Sequence, residues 1–297
     1  MNFQFKPKPL IVKPDRSSGL VEIHVAVLLF GLAGLFAKFL SLPAWCIVLG
    51  RTGFATVALA AALVYSKSGP YPKGGKTIAL FCLLGIILAI HWITFFHAIK
   101  VSSVAVGLLA FSTFPVFITC LEPFWFNEKR RMIDWVTAVL VLVGLGIMVY
   151  PSGFRGQVFS GVIWGTLAGF TFAILSLLNR KWVRDYPPVV IALYQNAVAA
   201  LVLLPILAVV DLRVDARQIG LLAFLGVICT ALSHALFIRG LRFVRAQLAS
   251  VIACLEPVYG IAFAFFLLHE IPSAATLAGG ALIIITTVAA TRRRVSG

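Results

Sequence analysis

The sequence predicts an all-α polytopic membrane protein, with ten transmembrane helices in two inverted five-helix repeats around a central cavity. Three observations predict it. The 297 residues are 61% hydrophobic and 12% charged, with a mean hydropathy of +1.03; soluble domains carry about 25% charged residues. Ten apolar runs reach the roughly 17–25 residues that a bilayer-spanning helix needs. One stretch of the chain repeats another: with Pro257 laid over Pro115, a shift of 142 residues, Glu270 falls on Glu128 without a gap.

Taken in order, residues 1–19 are polar and hold Lys6, Lys8, Lys13 and Arg16. They read as a cytoplasmic N-terminal tail. The apolar run that follows is too long for a signal peptide, at about 20 residues, and no A-x-A site closes it. The expected spans are Leu20–Leu42, Ala44–Tyr65, Lys76–Ala98, Ser102–Phe126 and Ile133–Tyr150. A second set follows: Phe159–Trp182, Val189–Val210, Ile219–Leu241, Ala246–Leu268 and Ala274–Thr291. Several are joined by very short connections, so sequential helices are antiparallel neighbours. No alternating ten-residue pattern of a membrane barrel appears. Helices are then the spanning structure, because they satisfy their own backbone groups in lipid. Residues 292–297 form a C-terminal tail.

The basic residues orient the chain. With the N-terminus inside, 19 Lys and Arg lie in inside segments and four (Lys100, Arg155, Arg213, Arg217) in outside ones. That bias places both termini in the cytoplasm and the chain in the cytoplasmic (inner) membrane of a cell. A formal charge of +15 would suggest nucleic acid in a soluble chain. Here the charges sit in short loops beside lipid headgroups, so no nucleic-acid partner is expected. The five cysteines all lie in apolar runs and form no C-x-x-C. They read as small buried residues, with no disulfide framework or metal site.

The repeats are expected over residues 20–152 and 153–291. An odd number of helices inverts the second copy, so equivalent loops face opposite sides of the membrane. The charges agree: Lys129–Arg131 corresponds to His269–Ser273, which has no Lys or Arg, and Lys100 corresponds to the cluster Arg239, Arg242 and Arg245. The tetrapeptide C-L-E-P at Cys120–Pro123 and Cys254–Pro257 offers a competing shift of 134. It fails, because Pro115 and Pro257 each lie thirteen residues before a glutamate, whereas Pro123 lies only five before Glu128. Inverted repeats place a transporter's substrate near the midplane, between the halves.

Two five-helix repeats, each with a proline in its fourth helix and a glutamate thirteen residues later, resemble the drug/metabolite transporter superfamily, EamA type. Phe30–Lys38 (F-G-L-A-G-L-F-A-K) and Trp164–Phe172 (W-G-T-L-A-G-F-T-F) resemble the starts of the two family repeats. The resemblance runs from Leu20 to Thr291. It implies a ten-helix bundle around a central cavity, alternating access, and small metabolites as cargo, often amino acids and often moved outward.

Candidate site residues are those costly to bury, since a charge at the bilayer centre costs about 2.5–3.5 kcal/mol on insertion scales. Glu256 lies about ten residues into its helix, roughly 15 Å deep. It is placed to hold a cationic group or a proton, or to be satisfied structurally beside Pro257. Arg51 and Lys38 lie on the outer halves of the second and first helices. They could bind a carboxylate or phosphate, although Lys38 could equally snorkel to the interface. Glu122 reads as a vestibule or interfacial charge. His91 and Trp92 align with Ser233 and His234, and Phe95 and Phe237 follow at i+4 from His91 and Ser233, which suits a cavity wall. Trp164, Asn196 and Tyr259 are further lining candidates. Pro115 and Pro257 each remove a backbone hydrogen bond and could act as hinges or as fixed bends. Glu128 and Glu270 read as loop structure. Small-residue spacings at Gly31/Gly34, Gly144/Gly146 and Gly165/Gly169 suit close helix packing.

Other function classes find little support. G-x-S-x-G, H-E-x-x-H and a P-loop are absent, as are the charge rings or filter loop of a channel. The reading is a secondary transporter of a small organic solute, such as an amino acid, driven by protons or by the solute's own gradient. Nucleosides, amines and xenobiotics remain alternatives. No cofactor is expected, the lipid bilayer is the setting, and the oligomeric state is open between monomer and homodimer.

Overall fold

The computed structural model describes residues 16–66, 72–126, 132–153, 155–208, 213–244 and 246–296. Among them every regular element is helical. Ten helical segments follow one another: α1 (Arg16–Gly34 and Phe36–Phe39), α2 (Ala44–Ser66), α3 (Gly75–Val101), α4 (Val104–Phe111 and Phe114–Phe126) and α5 (Met132–Val149). Then come α6 (Gln157–Trp182), α7 (Pro188–Leu203, continued as 3-10 turns over Leu204–Ala208) and α8 (Ala216–Gly226, Val227–Leu232 as a π segment, Ser233–Gly240). The last two are α9 (Ala246–Ala253 and Glu256–Leu268) and α10 (Ala274–Ser296). Large apolar side chains such as Val57, Val64, Leu201, Phe266 and Ile285 point outward from the bundle, as a lipid-facing surface requires.

Helix boundaries differ from the sequence expectation where caps or breaks intervene. The first helix starts at Arg16, inside the expected tail, and stops at Phe39 rather than Leu42. Its last carbonyls are taken by lysines: Lys100 Nζ donates to Ala37 O and Leu40 O, both at 3.0 Å. Lys38 Nζ in turn donates to Ser102 O at 3.0 Å, closing the end of α3. These contacts supply partners that helix ends lack. The start of α4 is capped twice, by the Ser103 side chain on Val106 N and by Glu270 Oε1, which accepts from Ala105 N. Glu128 lies outside the described residues. Cys46, Cys229 and Cys254 are buried as expected, whereas Cys82 and Cys120 are only partly so, because they sit on the outer faces of their helices.

The two proline helices are broken, not bent. The first half of α4 stops before Ser112–Thr113 and that of α9 stops before Cys254–Leu255. These breaks are related by the same shift of 142 as the sequence repeat. Proline explains both. Pro115 and Pro257 each fall in the first turn of a second half-helix, where a missing N–H costs least. Ser112 Oγ and Thr113 Oγ1 add second hydrogen bonds to the carbonyls of Leu108 and Ala110, each at 2.9 Å, beside the backbone bonds those carbonyls already accept.

Helix packing carries the same symmetry. Helix α1 packs on α8 and on both halves of α9, as α6 packs on α3 and on both halves of α4. Helix α2 meets α7, and α5 meets α10. Exchanging the first five helices for the last five maps this pattern onto itself. The protein is therefore two five-helix repeats, and an odd number of spans makes them antiparallel. A glycine of each opening helix lets the other repeat's break come close. A Cβ on Gly31 would lie 3.0 Å from Glu256 O, and one on Gly169 would lie 2.8 Å from Phe111 O. Gly165 and Gly144 are also tight against neighbouring helices, whereas Gly34 meets only ordinary contacts and Gly146 faces open space.

Candidate functional site

A cavity lies where the breaks meet α1, α2, α3, α6 and α8. Its wall is aromatic: Phe30, Trp92, Phe95, Phe111, Phe172 and Phe237. The rings lock one another, with Phe111–Phe172 centroids 5.3 Å apart and Phe172–Phe237 5.6 Å apart. Six polar side chains reach the same space: Arg51, His91, Ser176, Asn179, His234 and Glu256.

Arg51 is 2% exposed and is held by α8. The π segment of α8 interrupts the regular ladder, and its groups turn to side chains. Cys229 O accepts from Ser233 Oγ at 2.7 Å and, at a longer 3.4 Å, from Arg51 Nη2. Thr230 Oγ1 donates to Leu225 O at 2.7 Å, so its lone pairs are left to accept from Arg51 Nε at 2.9 Å. The guanidinium carbon lies 3.8 Å from the Trp92 ring centroid, a close cation–π contact. Glu256 opens the second half of α9, is 3% exposed, and reaches the cavity from the other repeat. Among the described residues no ion pair joins Arg51 to Glu256, and the Glu256 carboxyl has no hydrogen-bond partner.

The two histidines are fixed in complementary roles. His91 Nδ1 meets Ala168 O at 2.9 Å, so it donates there and leaves Nε2 as an acceptor. His234 Nδ1 meets the Asn196 amide nitrogen at 3.3 Å, so it accepts and Nε2 carries the ring proton.

Of the sequence candidates, Glu256, Arg51, His91, Trp92 and His234 are brought together on this cavity. The others are placed elsewhere. Lys38 is exposed and spent on Ser102 O, because α1 ends within a residue of it. Ser233 is turned to its own helix, its Oγ donating to the Cys229 carbonyl. Asn196 stands behind His234 and donates to Ala192 O at 2.8 Å. Trp164 stacks edge-on against His97, centroids 5.0 Å apart, away from the cavity wall. Tyr259 packs on Gly31. Pro115 and Pro257 set the breaks that bring Phe111 and Glu256 to the cavity. Glu122 is not a vestibule charge: its side chain is fully buried and paired to Arg180, at 2.6 Å.

Sequence reading passed over Ser176, Asn179 and Thr230. A signal was there for the first two: Phe172, Ser176 and Asn179 follow the i, i+4, i+7 spacing of one helix face. Among the described residues no cluster of His, Cys, Asp and Glu could hold a metal.

The chain matches the EamA-like transporter family over residues 17–150 and again over 159–292. It is similar to the Bacillus subtilis transporter YxxF, at 26% identity over 263 residues, covering 85% of this chain and 83% of that protein. It is also similar to an S-adenosylmethionine uptake transporter of Rickettsia conorii, at 25% identity over 204 residues and 67% of either chain. A solved crystal structure shares its fold with a TM-score of 0.69 at 18% identity, covering 95% of this chain and 98% of the other.

Proposed function

The chain belongs to the EamA-like transporter family, and from that premise we propose that it carries a small zwitterionic organic solute, of the amino-acid type, by alternating access. One observation carries the reading. An arginine and a glutamate from opposite repeats face one aromatic-walled cavity, and neither is spent on the other. A solute with a carboxylate and an ammonium can use both. The aromatic wall accepts its apolar body.

The protein is a multi-pass membrane transporter and not an enzyme. In our reading it sits in the cytoplasmic membrane with both termini inside, as the distribution of basic residues supports. Residues 20–152 and 153–291 act as the two moving halves. The Glu256 carboxyl exchanges a proton in the cycle, which couples solute flux to the proton gradient. Direction follows the gradients, so the same cycle serves export or uptake. S-adenosylmethionine, named for the Rickettsia relatives, is such a zwitterion with an added sulfonium cation, and it is the second cargo to test.

The test is uptake into proteoliposomes of radiolabelled amino acids, S-adenosylmethionine, nucleosides and organic cations, with and without a pH gradient. Saturable zwitterion uptake, accelerated by the gradient in wild type but not in Glu256→Gln, is the expected result. Gradient-independent uptake in both proteins would leave a facilitator and remove the proton role. Saturable uptake of nucleosides or simple amines alone would overturn the zwitterion reading.

A smaller effect is expected at Thr230. Its hydroxyl holds Arg51 Nε, and a hydrogen bond to a charged group is worth about 1.5–3 kcal/mol. Thr230→Val should raise the zwitterion KM roughly tenfold or more at similar Vmax. Thr230→Ser keeps the hydroxyl and should stay near wild type.

A further inference from the structure

Besides Arg51 and Glu256, the cavity holds neutral polar groups with unspent hydrogen-bonding capacity. Asn179 is 2% exposed and lines the cavity. One polar atom of its amide is engaged by Gln195, whose Nε2 donates to Asn179 Oδ1 at 2.6 Å. The other polar atom has no partner among the described residues. Ser176, 1% exposed and three residues earlier, also lines the cavity, and its hydroxyl makes no hydrogen bond among the described residues. His234 adds Nε2, because Asn196 occupies its Nδ1. Gln195 and Asn196 are fully buried, and they hold Asn179 and His234 respectively.

Buried polar groups are paired almost without exception, and in a membrane interior their partner must come from the protein, from water or from cargo. These three are neutral, so they offer nothing to a second charge. They do suit a planar neutral group that both donates and accepts. Phe172 lies one turn before Ser176 on the same face of α6, so an aromatic surface adjoins the hydroxyl and the amide.

We propose that Ser176, Asn179 and His234 form a specificity subsite for the side chain of the cargo, selecting an amino-acid-type zwitterion whose side chain ends in a carboxamide or a heteroaromatic ring. The proposal rests on the zwitterion reading above and narrows it. Aliphatic amino acids of equal length would leave the three groups unpaired, and a site built to hydrogen-bond its ligand rejects analogues that lack the group.

The test uses near-isosteric pairs on purified full-length protein in lipid nanodiscs: L-glutamine against L-methionine, and L-asparagine against L-leucine. Binding is read from intrinsic tryptophan fluorescence, which Trp92 at the cavity wall should report. Wild type should prefer glutamine over methionine by about tenfold or more. In Asn179→Leu that ratio should fall towards one. Ser176→Ala, which strands no buried partner, should reduce it in the same direction and covers the case in which Asn179→Leu does not fold. Equal affinity for glutamine and methionine in wild type would overturn the subsite and leave the zwitterion reading standing. So would a ratio unchanged in folded variants, which would assign these polar groups to bound water. If no amino acid binds while wild type is folded, both readings fall.

Discussion

Arg51→Gln should abolish saturable zwitterion uptake under conditions where wild type is robust. The guanidinium carries five N–H donors, and α8 engages it through Nε and Nη2. The remaining donors are available to a carboxylate, in the planar fork that pairs with it best. Truncating one partner of a desolvated charge pair costs about 2–5 kcal/mol, which is about thirtyfold or more in affinity. Lysine should not rescue. Its compact ammonium cannot reach the Thr230 hydroxyl, cover the Trp92 ring and present a fork to the cargo together. The measurement is KM and Vmax for the best zwitterion in Arg51→Gln and Arg51→Lys, with a melting curve for each. Near-wild-type uptake in either folded variant would remove Arg51 from the binding site.

Much of this site was legible in the sequence, because charge in an apolar run is conspicuous. Arg51 and Glu256 announce themselves by the cost of burying them. The repeat was legible because Pro115 and Pro257 keep their spacing to a glutamate. The proline readings also located the backbone breaks, since a proline in a membrane helix leaves a carbonyl to be satisfied elsewhere. Neutral polar groups were harder to read. Ser176 and Asn179 barely change the hydropathy of α6, and the residue that holds Asn179, Gln195, lies sixteen residues further along the chain. Thr230 reads as one more β-branched residue until the π segment turns its hydroxyl to Arg51. No local pattern predicts that segment. Lys38 misled in the opposite way. It is a charge near a helix end, and helix ends need donors for their carbonyls as much as cavities need ligands.

The second large effect concerns stability. Glu122 was read as a vestibule or interfacial charge because its partner, Arg180, is 58 residues away and falls among loop lysines and arginines in the positive-inside count. In the fold they meet at 2.6 Å, with side-chain exposures of 12% for Arg180 and 0% for Glu122. The pair joins α4 to α6, one helix from each repeat, at the end of the bundle where α1 begins. A second pair, Arg239–Glu22 at 3.0 Å, joins α8 to α1 at the same end. Its arginine is 58% exposed, so its worth is that of a surface pair, about 0–1 kcal/mol. Breaking the buried pair is a different matter. Removing one partner of a buried pair costs about 3–5 kcal/mol. Glu122→Ala and Arg180→Ala should therefore each lower the melting temperature strongly, whereas Glu22→Ala should barely move it. Replacing both Glu122 and Arg180 by leucine removes both desolvation penalties and should recover most of the stability. That double variant separates two roles in one experiment. If it is stable and transports like wild type, the pair is structural. If it is stable but transports slowly, the pair helps set the balance between the two access states. In that case cysteines introduced near the paired ends of α4 and α6 should label faster than they do in a wild-type background.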